Sequence, residues 1–202
     1  MKSNTLNFGW LLLIPILVSA WNYSCNSAPK NPKELAAADS LRADLRIADS
    51  LLKTLEKEKV KQAEDAVRGN SAFIEDGINK LQDTLDLETA TFLTEYRSIA
   101  KILGIYVSNH DRLKGAIDSL KTSCDNLSHD LRNNSLAEGL DPVKSVNNER
   151  VQVHKLMNEL NFLIPAVGNG LKTNDSLSPK IKAYIEELNA KLAARNNPGP
   201  AK

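Results

Sequence analysis

Apolar positions recur every seven residues through the middle of this chain. Counting from Ile78 in steps of seven gives Leu85, Phe92, Ile99, Tyr106, Leu113, Leu120 and Leu127, each apolar or aromatic. A companion series at the same step holds Tyr96, Leu103, His110, Ile117, Cys124 and Leu131. Two such series keep one helix face against a partner. They predict one long helix from Ser71 to Asn133, which at ~1.5 Å per residue would extend roughly 90 Å. Gly104 and the stretch VSNHDR, where Ser108 and Asp111 resemble a capping box, offer a break. The phase passes through this point unslipped, so a continuous or merely bent helix is expected there.

Other segments carry shorter patterns. Leu41, Leu45, Ala48, Leu52 and Leu55 follow a 4-3-4-3 spacing. They predict a first helix that opens near Pro32 and ends just before Gly69. Its second half, from EKEKVKQAED onward, is mostly charged, and the seam thins to Val60, Ala63, Ala66 and Val67. The run NNSLAEGLDP, residues 133–142, reads as a turn followed by a helix entry at Pro142. A third helix carries Val146, Val153 and Leu160 on one series and Leu156 and Leu163 on another, and is expected to stop near Pro165. AVGNGLKTNDSLS reads as loop. Ser178-Pro179 reads as a cap and first-turn proline for a last helix striped by Ile181, Tyr184, Ile185, Leu188 and Leu192.

No strand or hairpin pattern occurs. The expected fold is therefore all-α: an elongated three- to four-helix bundle, coiled-coil-like, with one long central helix. Backbone ordering costs about 1–2 kcal/mol per residue, so a single seam cannot hold some sixty residues helical in isolation. The first, third and fourth helices are the natural antiparallel neighbours, or a second chain completes the seam.

The N-terminus breaks this texture. WLLLIPILVSAW, residues 10–21, is almost uninterruptedly apolar and ends four residues before Cys25. It is shorter than the ~20 residues a membrane-spanning helix needs and matches the core of an export signal. Ser24 precedes Cys25, and NSAPKNPK follows as a short polar tether. The segment resembles a bacterial lipoprotein signal, in which a peptidase cuts before a cysteine whose sulfur has been diacylated. Asn22 stands where that family usually has Leu, and Tyr23 where it has a small residue. The resemblance implies that Cys25 is the lipidated first residue of the mature chain, anchored to a membrane of the bacterial cell envelope and facing periplasm or exterior. Two other routes are open: cleavage after Ala20, the last residue of VSA, which leaves Trp21 at the new terminus, and retention of the segment uncleaved. The recurring Asp-Ser-Leu words at Asp39, Asp49, Asp118 and Asp175 have the texture of helical spacers in small bacterial lipoproteins. Residues 1–24 are thus expected to be signal, 25–32 tether, 33–195 helical bundle and 196–202 a disordered tail.

Composition narrows the function. The chain has 202 residues and a formal net charge of +1, with 25% charged residues and 5% aromatic ones. It has no basic run to grip nucleic acid. His110, His129 and His154 have no metal-site neighbour at i+4, and no nucleotide or hydrolase motif occurs. Cys124 and His129 lie five apart and diverge on one helix. Cys124 reads as a small buried hydrophobe, His110 as a core histidine, and Phe92, Tyr96 and Tyr106 as core aromatics. No catalytic, cofactor or metal site and no small-molecule substrate is expected. The expectation is a non-enzymatic lipid-anchored spacer, scaffold or partner-binding module, with a protein partner or a second copy of the chain on its helical surface. A secreted helical inhibitor or chaperone, cleaved after Ala20, is the alternative.

Overall fold

A computed structural model describes residues 28–82 and 84–196. Residues 1–27, which hold the apolar segment expected to be a signal and Cys25, and the expected tail 197–202 lie outside the described residues. The fold is all-α, with four helices: α1 (Pro32–Lys53), α2 (Lys57–Leu81), α3 (Leu87–Asn133) and α4 (Pro142–Asn196).

Helices α1 and α2 each pack on α3 and α4 but not on each other. They lie end to end and together form one edge of a three-helix rod. Residue pairs fix the directions. Asp39–Arg132, Arg42–Asp125, Lys57–Asp111 and Glu75–Arg97 run α1 and α2 antiparallel to α3 in one continuous register. Ser123–Glu149, Arg112–Glu159 and Phe92–Tyr184 set α4 antiparallel to α3. Leu188 lies against Gly77, so α4 runs parallel to α2.

The seven-residue series form the core over most of α3. Tyr96, Ile99, Leu103, Tyr106, Leu113, Ile117, Cys124, Leu127 and Leu131 are buried, while Phe92 and Leu120 are half-buried against them. Helix α3 runs unbroken through Gly104. A side chain there would collide with the Glu64–Arg68 ion pair of α2, since a Cβ would sit 2.7 Å from Glu64 Oε1. Glycine at this position thus lets a partly buried acid and its arginine cross the helix.

The expected continuous helix from Ser71 to Asn133 is not formed. Instead α2 ends at Leu81 and α3 begins at Leu87. Gln82 takes the left-handed conformation (φ 54°) and closes α2. Asp86 then caps α3, accepting from Thr89 N–H at 2.8 Å and from Thr89 Oγ1 at 2.8 Å. The Ile78–Leu85–Phe92 step is in phase by coincidence: Leu85 lies in the loop, 38% exposed.

The first helix also departs from expectation. It does not run to Gly69, which lies inside α2, but stops at Lys53. The buried positions Ala38, Leu41, Leu45, Ala48 and Leu52 are spaced 3-4-3-4, and the next buried residue is Val60, eight positions on. One residue beyond a heptad turns the seam by about 100° on a straight helix, away from its neighbours. Interrupting the helix at 54–56 restores the phase. Thr54 closes α1 by donating to Leu51 O through both N–H (3.1 Å) and Oγ1 (2.7 Å).

The α3–α4 corner lies where expected. Asn134 (φ 54°) ends α3, Gly139 (φ 85°) makes the turn, and Asp141 caps α4 by accepting from Val143 N–H at 2.9 Å. Lys30 N–H donates to Asn134 Oδ1 at 2.7 Å, fastening the chain just before α1 to this corner.

Helix α4 overturns the last expectation. It neither stops at Pro165 nor loops until Ser178, but runs 55 residues through both Pro165 and Pro179. A helical proline leaves the carbonyl four residues back without its donor. Both prolines are exposed, and so are Asn161 and Asp175, whose carbonyls they free, so water can satisfy those groups. The flanking Leu163, Ile164, Val167, Leu177 and Ile181 are buried. A loop between 165 and 178 would forfeit that burial.

Candidate functional site

The interruption between α1 and α2 exposes groups that a continuous helix would have bonded to one another. Tyr106 of α3 answers it. This fully buried tyrosine donates its hydroxyl proton to Leu55 O at 2.5 Å, with Leu52 O at 3.4 Å. Burial pushes its phenol up from the usual value near 10 to about 12. The ring of His110, one turn on, meets that of Tyr106 edge-to-face, with centroids 5.6 Å apart.

Beside this junction opens a cleft of about 410 Å³. Leu52 and Leu55 form its apolar lining, and Asp49, Lys53, Lys57, His110 and Lys114 stand among its polar ones. Most of these charges are already matched. Lys53 bonds Asp49 and Lys57 bonds Asp111, each at 2.7 Å. These bonds hold both carboxyls below their usual range: Asp49 chiefly through Lys53, Asp111 through Lys57 and then His110. His110 Nδ1 faces its chain neighbour Asp111 at 3.1 Å rather than a hydroxyl or thiol nucleophile. The arrangement suits non-covalent contact with a polypeptide or other mixed polar and apolar surface.

A second cleft of about 410 Å³ lies between α2 and α3, where Gly104 opens the helix surface. Arg68, Arg97, Lys101 and Ser108 line it. Glu64 and Glu75 neutralise its two arginines at 2.7 and 3.3 Å.

The structure places the sequence-predicted residues as follows. Cys124 is fully buried and free, and its thiol is pushed up to about 11, chiefly by burial. His129 and His154 are exposed, so Cys124 and His129 do not meet. Among the described residues no group of three His, Cys, Asp or Glu is placed to hold a metal ion, and no helix is long and apolar enough to cross a membrane. The junction itself went unrecognised from sequence. Its signals were the eight-residue step from Leu52 to Val60 and an acid, Glu64, on a seam position. Compared with known proteins, the chain matches no family model, no curated protein and no solved structure.

Proposed function

We propose that this protein is a non-enzymatic, lipid-anchored helical rod of the bacterial cell envelope that acts as a spacer, scaffold or partner-binding module. One observation carries the reading: an apolar segment of export length, residues 10–21, leads into Cys25 and a polar tether that joins the bundle at Pro32. The lipid on Cys25 holds one end of the rod at the membrane. Helix α3, with 47 residues, carries the α2–α3 loop roughly 70 Å from that end. The protein thereby presents its helical faces and far tip at a set height, to a protein partner or to a second copy of the chain. The absence of a catalytic role belongs to the same proposal.

Globomycin treatment and the Cys25→Ser substitution test the anchor. Both are expected to block processing, with the substituted chain lost from the acylated pool. Unchanged processing and unchanged membrane fractionation under both conditions would refute lipidation. A mature chain that starts at Trp21 in the soluble fraction would establish the secreted alternative, for which Val18 and Ala20 are the supporting residues.

A further inference from the structure

Exposed leucines and valines are ordinary on a protein surface when they stand singly. Leu140 and Val143 stand together on one turn, 56% and 51% exposed. They flank Asp141, the cap of α4. A hydrophobic residue just ahead of a cap often packs on the fourth helical residue. Here that residue is Ser145, and Leu140 is left without such a partner. Leu136, in the same corner, packs against the core.

What distinguishes this pair is its place. The α3–α4 corner is the end of the rod to which the tether is fastened, through Lys30 N–H on Asn134 Oδ1 at 2.7 Å. Lys30 lies five residue steps beyond Cys25. At 3.3–3.6 Å per residue they span at most about 18 Å, whatever path they take. If Cys25 carries acyl chains in a bilayer, the corner is held within that distance of the lipid surface. The exposed apolar pair at the opposite end, Leu85 and Leu87, is out of reach: 47 helical residues of α3 intervene, roughly 70 Å.

We propose that the α3–α4 corner docks on the lipid bilayer surface, with Leu140 and Val143 entering the headgroup–acyl boundary beside the anchored Cys25. The inference rests on the reading of Cys25 as the anchor. Lys30, Lys33 and Lys144 are exposed around the corner, and so are Glu138 and Asp141. With both signs present, the contact is carried by the apolar side chains and not by net charge. A single acyl-bearing residue fixes a protein to a membrane without orienting it. A second apolar contact beside the tether sets the rod upright.

The chain from Cys25 onward contains no tryptophan, because Trp10 and Trp21 both precede it, and it retains every residue of the described bundle. Leu140→Trp and Leu87→Trp therefore give single reporters, one at each end. The probe is a vesicle of phosphatylethanolamine and phosphatidylglycerol, containing a maleimide phospholipid to capture the Cys25 thiol and brominated acyl chains as quencher. Cys124 is buried and is spared by the coupling. The expected result is roughly two-fold quenching with a blue shift for Leu140→Trp, as for side chains 5–10 Å into the interface, and no change for Leu87→Trp. No quenching at either end overturns the proposal. Equal quenching at both ends also overturns it, since the rod would then lie flat. The lipid is supplied chemically here, so these failures concern docking alone. A failure of the anchor shows itself separately, as unchanged processing of the Cys25→Ser chain in cells.

Discussion

The hydroxyl of Tyr106 donates to the carbonyl of Leu55 at 2.5 Å, across the gap between two helices that share one edge of the rod. The bond joins the middle of α3 to the point where α1 gives way to α2. Tyr106→Phe keeps the ring against His110 and removes only the donor. The acceptor is part-buried beside the cleft, where water can reach it, so losing the bond costs about 0.5–1.5 kcal/mol, and urea unfolding of the variant is expected to show a loss in that range. A change near zero would mean that the bond contributes nothing to holding the junction.

The same residue sets an alkaline limit. Its folded-state value, about 12, lies above the ordinary value near 10. The contribution is therefore complete below pH about 10 and is lost as pH rises through about 12. Thermal scans between these values are expected to show falling stability in the native chain and a shallower fall in Tyr106→Phe. Asp49, Asp86 and Asp111 act in the opposite sense, being held low by Lys53, by the Thr89 N–H and by Lys57. Their contributions are present above about pH 4 and fade as pH falls. Asp86 and Asp111 are exposed, so the acid limb is shallow.

Two helical glycines are expected to respond oppositely to alanine. At Gly77 a Cβ would sit 2.5 Å from Leu188 Cδ2 and 2.8 Å from its Cγ, and Leu188 is 2% exposed. Overpacking costs about 1–3 kcal/mol, more than the ~1 kcal/mol gained by removing a helical glycine. Gly77→Ala is therefore destabilising, and Leu188→Ala in the same chain relieves part of the clash. At Gly115 nothing lies within 4 Å of the new Cβ. Gly115→Ala is expected to stabilise by about 0.5–1 kcal/mol. Denaturant midpoints of the two variants, moving apart from the parent, check the α2–α4 packing.

Pro165→Ala reads the continuity of α4. If the helix runs through residue 165, alanine restores an N–H donor to Asn161 O and removes a proline, whose cost in a helix interior is ~3 kcal/mol. Net stabilisation of about 1–3 kcal/mol is expected, with unchanged helical circular dichroism. Destabilisation would mean that the proline serves a turn.

Cys124 is expected to behave as core. Its thiol is fully buried and pushed up to about 11, so a thiol reagent at neutral pH should leave the native chain's Cys124 unmodified and modify it in urea. Rapid native modification would contradict the packing of α1, α3 and α4 around it.

Much of the rod is written in the chain, because a heptad seam is a local pattern with a local meaning. Leu41, Leu45, Ala48 and Leu52 in α1 and Ile99, Tyr106, Leu113 and Leu127 in α3 sit in the core as their spacing implies. The boundaries were harder to read, because they come from competition between local preference and burial. Pro165 disfavours a helix locally, yet burial of Ile164 and Val167 on either side carries α4 through it. Between Ile78 and Phe92 an unbroken phase concealed a real corner, because two antiparallel helices can share a phase by chance. The deciding features were smaller, Gln82 in the left-handed region and Asp86 bonded to Thr89. The cleft at the α1–α2 junction was not legible at all. It exists only once the antiparallel register brings His110 and Lys114 of α3 beside residues 49–58, and no spacing within one helix encodes that meeting.

The central claim is an acylated Cys25 at the foot of a helical rod. Mass spectrometry of the mature N-terminal peptide from envelope membranes tests it most directly. The account predicts a chain that begins at Cys25 and carries a diacylglyceryl group on sulfur. A mature chain that begins at Trp21, or one that retains residues 1–24 with a free Cys25 thiol, would contradict it.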